Sequence, residues 1–335
     1  MNASLRLLFA GWGVVASLAA GGTATAALAA GSAPYEFYET RDPSVAAGTP
    51  KGGLLLLGGG EWPDGALQWF AEQAGRGHIV MISASGDRED HDELAAALGP
   101  VASVETLVLH DRASSNDARV LAILRAADGI FLHGGDQANY VRYWKGTPVA
   151  EVIEERFRSG RPVGGTSAGL AILGQWAYGA LDGGSLLSSQ ALADPLGPAV
   201  TLVDDFLHLG PLKGVITDSH FAPRGRLGRL IVWVARLHAQ GQDVTGLGID
   251  ESAGVEITAD GIGQVISRSA AGGVTLVHAP RSATLQAATP FAAQGVRLVR
   301  VPAGGKLAVS PLRALGLAPA TVLDLAPGAA PPVWP

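Results

Sequence analysis

The sequence predicts an α/β fold: a mostly parallel sheet with helices on both faces, followed by a β-rich C-terminal extension. Three observations predict it. Short, almost unbroken apolar runs such as LLLLGGG (54–60) and GIFLHGG (129–135) alternate with stretches of helical period, the pattern of strands buried on both faces by crossover helices. Each run closes on glycine or polar residues, where the crevice of such a sheet forms. Beyond residue 252 the texture changes to short strands broken by turn residues.

A lead-in over 31–50 lacks periodicity, and the regular pattern starts at residue 51. Leu54–Gly60 reads as a buried strand and 65–75 as a helix. HIVMISAS (78–85) is a strand, followed by an acidic loop and the helix DELAAALG. VETLVLH (104–110) is a strand, and NDARVLAILRAAD (116–128) is a helix with Asn116 or Asp117 near its cap. GIFLHGGDQ (129–137) closes on Gly134, Gly135 and Asp136; a helix over 147–159 and a strand over 162–165 follow. GVITDSHF (214–221) and GLGIDES (246–252) supply two more strand ends. Between them Leu227, Leu230, Ile231, Val234 and Leu237 form a buried helical stripe. GVEITADGIGQVIS, GGVTLVHA and GVRLVRVPAGGKLAV read as antiparallel strands that extend the sheet or pack across one end. No Pro, Gly and Ser-rich linker interrupts 51–325, which is read as one domain, with 326–335 as a tail.

Composition narrows the function. The 335 residues are 47% hydrophobic, enough for a sizeable core. A net charge of −6 argues against nucleic acid as a partner. The chain has no cysteine, which excludes disulfides, thiolate metal sites and a cysteine nucleophile. No cofactor or metal is expected: LGGGEW lacks a phosphate-loop lysine, and Glu61 would repel a phosphate. At the N-terminus Arg6, the apolar run Leu7–Ala20 and the pairs Ala24/Ala26 and Ala27/Ala29 read as a secretory signal over 1–30. That run is shorter than the roughly 20 residues of a membrane span. The expected product is exported and leaves the membrane on cleavage.

Five strand ends converge with glycine or polar endings, and one of them carries RPVGGTSAGLAILG (161–174). Gly165-Thr166-Ser167-Ala168-Gly169 fits G-x-S-x-G, which exposes a nucleophilic serine on a sharp strand-to-helix turn. The pattern alone equally fits a tight turn with an incidental serine. A nucleophilic serine needs a base and a group that orients the base. Of eight histidines, His133 and His220 sit at strand ends. His220 is the candidate base, flanked by the polar Asp218 and Ser219, with His133 as the spare. Asp250 and Glu251 end the next strand, and Glu251 is favoured as the acid. The Ala168 N–H, with that of Gly59 or Gly60, would receive an oxyanion. Arg224, Arg226 and Arg229 crowd the start of the following helix, where cations oppose the macrodipole by roughly 0.3–1 kcal/mol each. A carboxylate ligand would offset that cost, and arginine binds carboxylates bidentately; a solvated charged face is the other reading. An α/β-hydrolase esterase, with Asp182, Asp194, Asp204 or Asp205 as acid, and a non-catalytic binding module are the rival classes.

Taken together and in this order, LLLLGGG, FLHGGDQ, GGTSAGLAIL, DSHFAPRGRLGRL and GLGIDES resemble the cyanophycinases and their relatives the aspartyl dipeptidases, over about residues 50–315. These are serine peptidases on a fold similar to class I glutamine amidotransferases. The resemblance implies Ser167 as nucleophile, His220 as base and Glu251 as third member. It further implies substrate contacts from Gln137, Arg224, Arg226 and Arg229, and a homodimer. Cyanophycin is a polyaspartate with arginine on each β-carboxyl. On that substrate the arginines would hold the α-carboxylates. Asp136 and Gln137, with Glu61 or the acidic loop Asp87–Glu93, would receive the guanidinium, and Asp218 and Ser219 complete the expected substrate-binding set. Two departures bear on the pocket: Ser219 stands where the family carries Gln, and Leu170 where it tends to have Ala.

Overall fold

The computed structural model describes residues 34–316 and 320–332; the signal segment expected over 1–30 lies outside them. The chain starts with β1 (Tyr35–Arg41), β2 (Leu54–Leu57), α1 (Ala66–Gln73), β3 (His78–Ser83), α2 (Arg88–Leu98) and β4 (Ser103–Leu109). It continues through α3 (Ala118–Ala126), β5 (Gly129–Leu132), α4 (Gln137–Trp144), α5 (Pro148–Arg158), β6 (Val163–Thr166) and α6 (Ala168–Ala171). A two-residue ladder of β7 (Ala177–Tyr178) and β8 (Leu202–Val203) brackets α7 (Ser188–Ala193). Then come β9 (Val215–Asp218), α8 (Leu227–Ala239), β10 (Thr245–Ile249), β11 (Ala253–Ile257), β12 (Ile262–Ser267) and β13 (Gly273–His278). The chain closes with β14 (Ala293–Pro302), β15 (Lys306–Val309), β16 (Leu312–Leu315) and β17 (Ala320–Leu325).

The central sheet runs β1-β4-β3-β5-β6-β2-β11-β12-β15-β16. Its middle, β4-β3-β5-β6-β2, is parallel, and the flanking strands are antiparallel. The unbroken apolar runs follow from burial on both faces. Leu54, Leu56, Val80 and Ile82 pack with α3 and α5, whereas Leu55, Leu57, Ile79 and Met81 pack with α1 and α2. The lead-in is partly a strand: β1 pairs antiparallel with β4 along its whole length. Buried His91 of α2 secures it, bonding Thr40 at 2.9 Å through Nε2 and Thr106 at 2.8 Å through Nδ1.

The strands expected over 214–221 and 246–252 leave the central sheet. β9 and β10 pair parallel at one side of a second sheet, ordered β17-β14-β13-β10-β9. One face of that sheet, with Leu247, Ile249, Val274 and Val299, joins the main core, while α7 and α8 cover the other. The ends of β2 and β6 therefore lie beside those of β9 and β10, where two sheets meet.

Candidate active site

The opening of α6 answers why glycines bracket Ser167. Ser167 takes φ 53° and ψ −116°, a positive-φ turn that L-residues rarely adopt. A β-carbon on Gly165 would lie 2.8 Å from the Gly169 carbonyl, and one on Gly169 would run into the Leu132 carbonyl oxygen. Strand and helix meet so closely that only glycine fits on either side.

Ser167 Oγ lies 2.7 Å from His220 Nε2, and His220 Nδ1 lies 2.7 Å from Glu251 Oε1. A carboxylate only accepts, so Nδ1–H donates to Glu251 and Nε2 is free to accept from the serine hydroxyl. Burial pulls the His220 imidazole below its usual value against the raising effect of the Glu251 bond, and Arg224 and Arg226 lower it further. Burial pushes the Glu251 carboxyl up, but the hydrogen bonds and charges of His220 and Arg224 outweigh it and hold the group below its usual range. The pair rests as neutral imidazole beside carboxylate, the state a general base requires.

Three turns carry these side chains, and one strand end holds all three. Leu57 O accepts from Ser167 N at 3.1 Å, Gly58 O from His220 N at 2.7 Å, and Gly59 O from Ser252 N, next to Glu251, at 2.7 Å. His220 and Ser252 share the positive φ of Ser167, at 48° and 54°. Three successive carbonyls of the β2 end thus fix three strained turns from two sheets. A β-carbon on Gly59 would run into the His220 ring, and one on Gly60 would meet Glu251 Cβ at 3.3 Å. These two glycines back the base and the acid. The glycine against Ser167 is Gly134, whose added β-carbon would sit 3.4 Å from Ser167 Cβ. The Gly134–Gly135 backbone, rather than Gly59 or Gly60, is therefore the candidate partner of the Ala168 N–H for an oxyanion.

Ser167 and His220 line a cleft of about 360 Å³ together with Asp136, Gln137, Ser219, Arg224 and Arg226. Arg224 is exposed, its Nε 3.3 Å from Glu251 Oε1. Arg226 donates to Ser219 O at 2.8 Å. Asp136 caps α4 through the Ala138 N–H, and Gln137 donates to Tyr178 O at 3.1 Å.

Two residues expected at the substrate are elsewhere. Arg229, 1% exposed, donates from Nε to Asp218 Oδ2 at 2.8 Å and from Nη2 to Asp218 Oδ1 at 2.5 Å. Its Nη1 donates to Ser185 Oγ and Leu186 O, both at 3.0 Å, and the guanidinium lies over the Trp233 ring. Each of its three guanidinium nitrogens is hydrogen-bonded inside the protein, so Arg229 and Asp218 form a buried ion pair that is not part of the cleft lining. Arg229 neither lines the cleft nor belongs to a solvated face, because α8 is buried nearly all round.

The spare base His133 packs edge-on against Trp62. Asp250 pairs with Arg300 and accepts from Ala222 N at 3.0 Å, leaving Glu251 as the acid at His220. Of the esterase-type acids, Asp194 accepts from Ala288 N and Asp205 pairs with His208. Glu61 pairs with Arg268, and the acidic loop is largely the first turns of α2, capped by Asp87. Sequence reasoning missed Arg142 and the loop Ala180–Ser185, which complete the cleft. The consecutive glycines 183 and 184 were the available signal for that loop.

Residues 54–183 match the model of peptidase family S51. The chain is 38% identical over 175 residues to a cyanophycinase of Trichormus variabilis, an alignment covering 52% of this chain and 53% of that protein. The chain thus spans about half the length of the first curated relatives it matches. It is 33% identical over 238 residues to a cyanophycinase of Synechococcus elongatus, covering 68% of each. A crystal structure of a peptidase from an acI-B1 Actinobacterium shares the fold, at TM-score 0.51 and 17% identity over 78% of this chain and 98% of that one. On sequence and fold together, the chain belongs to peptidase family S51.

Proposed function

We propose that this chain is an exported serine peptidase that hydrolyses aspartyl-containing peptides through an acyl-enzyme, with cyanophycin as its substrate. The observation that carries the reading is the hydrogen-bonded run Ser167–His220–Glu251, opening on a cleft that holds both Asp136 and arginines. Ser167 Oγ attacks the scissile carbonyl while its proton passes to His220 Nε2. Glu251 stabilises the imidazolium, and the Ala168 N–H with the Gly134–Gly135 backbone faces the oxyanion. Collapse breaks the C–N bond, and the leaving amine takes the proton from Nε2. Water, deprotonated by the same nitrogen, then releases the acid and restores Ser167.

Relatives that are cyanophycinases support this substrate. In this reading Asp136 meets a guanidinium of the substrate, and Arg224 and Arg226 meet its α-carboxylates. Export is supported by the signal pattern over 1–30, and a homodimer by the family resemblance. The test is release of β-Asp-Arg from purified cyanophycin, alongside labelling of Ser167 by a fluorophosphonate. Labelling with cleavage of β-aspartyl dipeptides but not the polymer would make the chain a dipeptidase of the same fold. Absence of labelling would leave a binding module.

A further inference from the structure

The cleft holds three guanidinium groups, and they differ in what the protein already does with them. Arg224 shares the Glu251 oxygen that meets His220. Arg226 is 9% exposed, lies 3.5 Å from Asp218 and is bound to the Ser219 carbonyl. Arg142, in the last turn of α4, is exposed. Among the described residues its guanidinium makes two long polar contacts, to Asn139 Oδ1 at 3.5 Å and Leu181 O at 3.4 Å, and no carboxylate lies within ion-pair distance. Both long contacts come from neutral oxygens, so the charge that Arg142 brings to the cleft is not neutralised by the protein.

Its place along α4 gives that charge a position. Asp136 and Gln137 open the helix at the end of β5, beside Ser167, and Arg142 lies five residues further on. At 1.5 Å per residue that is about 7.5 Å of helix rise beyond Gln137. An extended peptide advances about 3.3–3.6 Å per residue, so the separation matches about two backbone steps along a substrate.

We propose that Arg142 is a specificity-determining residue that binds a carboxylate on the peptide substrate, at a position removed from the scissile bond. This rests on the peptidase reading above, and the ligand chemistry is an acidic peptide with free carboxylates. The guanidinium offers a two-pronged donor to that group, and the Leu181 carbonyl holds it towards the cleft loop.

The test uses the full chain, a β-Asp-Arg oligomer with free α-carboxylates and the same oligomer with those groups amidated. Binding is measured in the Ser167→Ala background, with and without Arg142→Gln, and turnover is measured with Ser167 intact. Arg142→Gln is expected to weaken binding of the free oligomer about ten- to a hundredfold, in line with the strength of a charged hydrogen bond, and that of the amidated oligomer less than twofold. Arg142→Lys should rescue part of the loss. In turnover the loss should fall in KM, and the rate of Ser167 phosphonylation by a small fluorophosphonate should not change. Equal losses on both oligomers would mean that Arg142 only steadies the 180–185 loop, and the proposal fails. No loss on either also overturns it. Selective binding without any turnover or labelling would keep Arg142 as the carboxylate anchor and remove the serine-peptidase reading.

Discussion

In the proposed mechanism the Ser167 hydroxyl serves chemistry while its backbone bears the strain, so the two can be separated. Ser167→Ala is expected to lower kcat by roughly a thousandfold or more, with thermal stability nearly unchanged, because alanine meets the same φ of 53° with the same glycine neighbours. Steady-state kinetics and a melting curve check both halves. The base makes a sharper claim. kcat/KM requires neutral His220, and burial holds its pKa below the ordinary value of about 6.5. Activity should therefore persist at pH 6.5 and fall only as pH drops through the lower value. Arg224 lowers that pKa and Glu251 raises it. Arg224→Gln should move the acid limb up in pH. Glu251→Gln should move it down while lowering kcat by roughly a thousandfold or more. Limbs that shift the same way in both variants would disprove the pairing of His220 with Glu251.

At the scale of elements, the β2 end is the part whose role the composition of LLLLGGG conceals. Its apolar letters announce a buried strand, and its glycines announce a turn. That three successive carbonyls hold the turns of Ser167, His220 and Glu251 depends on strands 100 to 200 residues away. Gly59→Ala is expected to displace the His220 ring, lowering kcat and the rate of phosphonylation together by roughly a hundredfold or more while KM changes little, since a misplacement of about 1 Å near the chemistry has effects of that order. Normal phosphonylation of a folded Gly59→Ala enzyme would show that the ring tolerates the added carbon. The same limit explains what the sequence did and did not disclose. The parallel strands were legible because burial on both faces leaves continuous apolar runs. β1 was not, because an edge strand such as YEFYETR takes its register from β4 and mixes aromatic with charged residues in place of a continuous apolar run. α4 was missed although Asp136 caps it, because the aromatic and polar run QANYVRYW has weak helical preference. Arg229 lies three residues beyond Arg226, the N-cap of α8, yet which of the two reaches the cleft is settled by Asp218 on β9 and by the loop before α7.

At the scale of the whole molecule, the active centre depends on two sheets staying in register, and adjacent carboxylates divide that work. Asp250 is buried and faces Arg300 of β14, tying the turn after β10 to the second sheet. Glu251, one residue on, faces His220. Removing one partner of a buried pair leaves an uncompensated charge, at about 3–5 kcal/mol. Arg300→Met should therefore lower Tm by something on the order of 10 °C for a chain of this size. The fraction that remains folded, counted by fluorophosphonate titration, should keep kcat within about fivefold of the parent, because Glu251 still bonds His220. Glu251→Gln should do the reverse, leaving Tm almost in place while kcat and the rate of phosphonylation both collapse. Differential scanning calorimetry with active-site titration on the two variants separates the outcomes. If Arg300→Met abolished kcat per titrated site without loss of Tm, the carboxylate that serves His220 would be Asp250, and the division between structural and chemical acid would have to be exchanged.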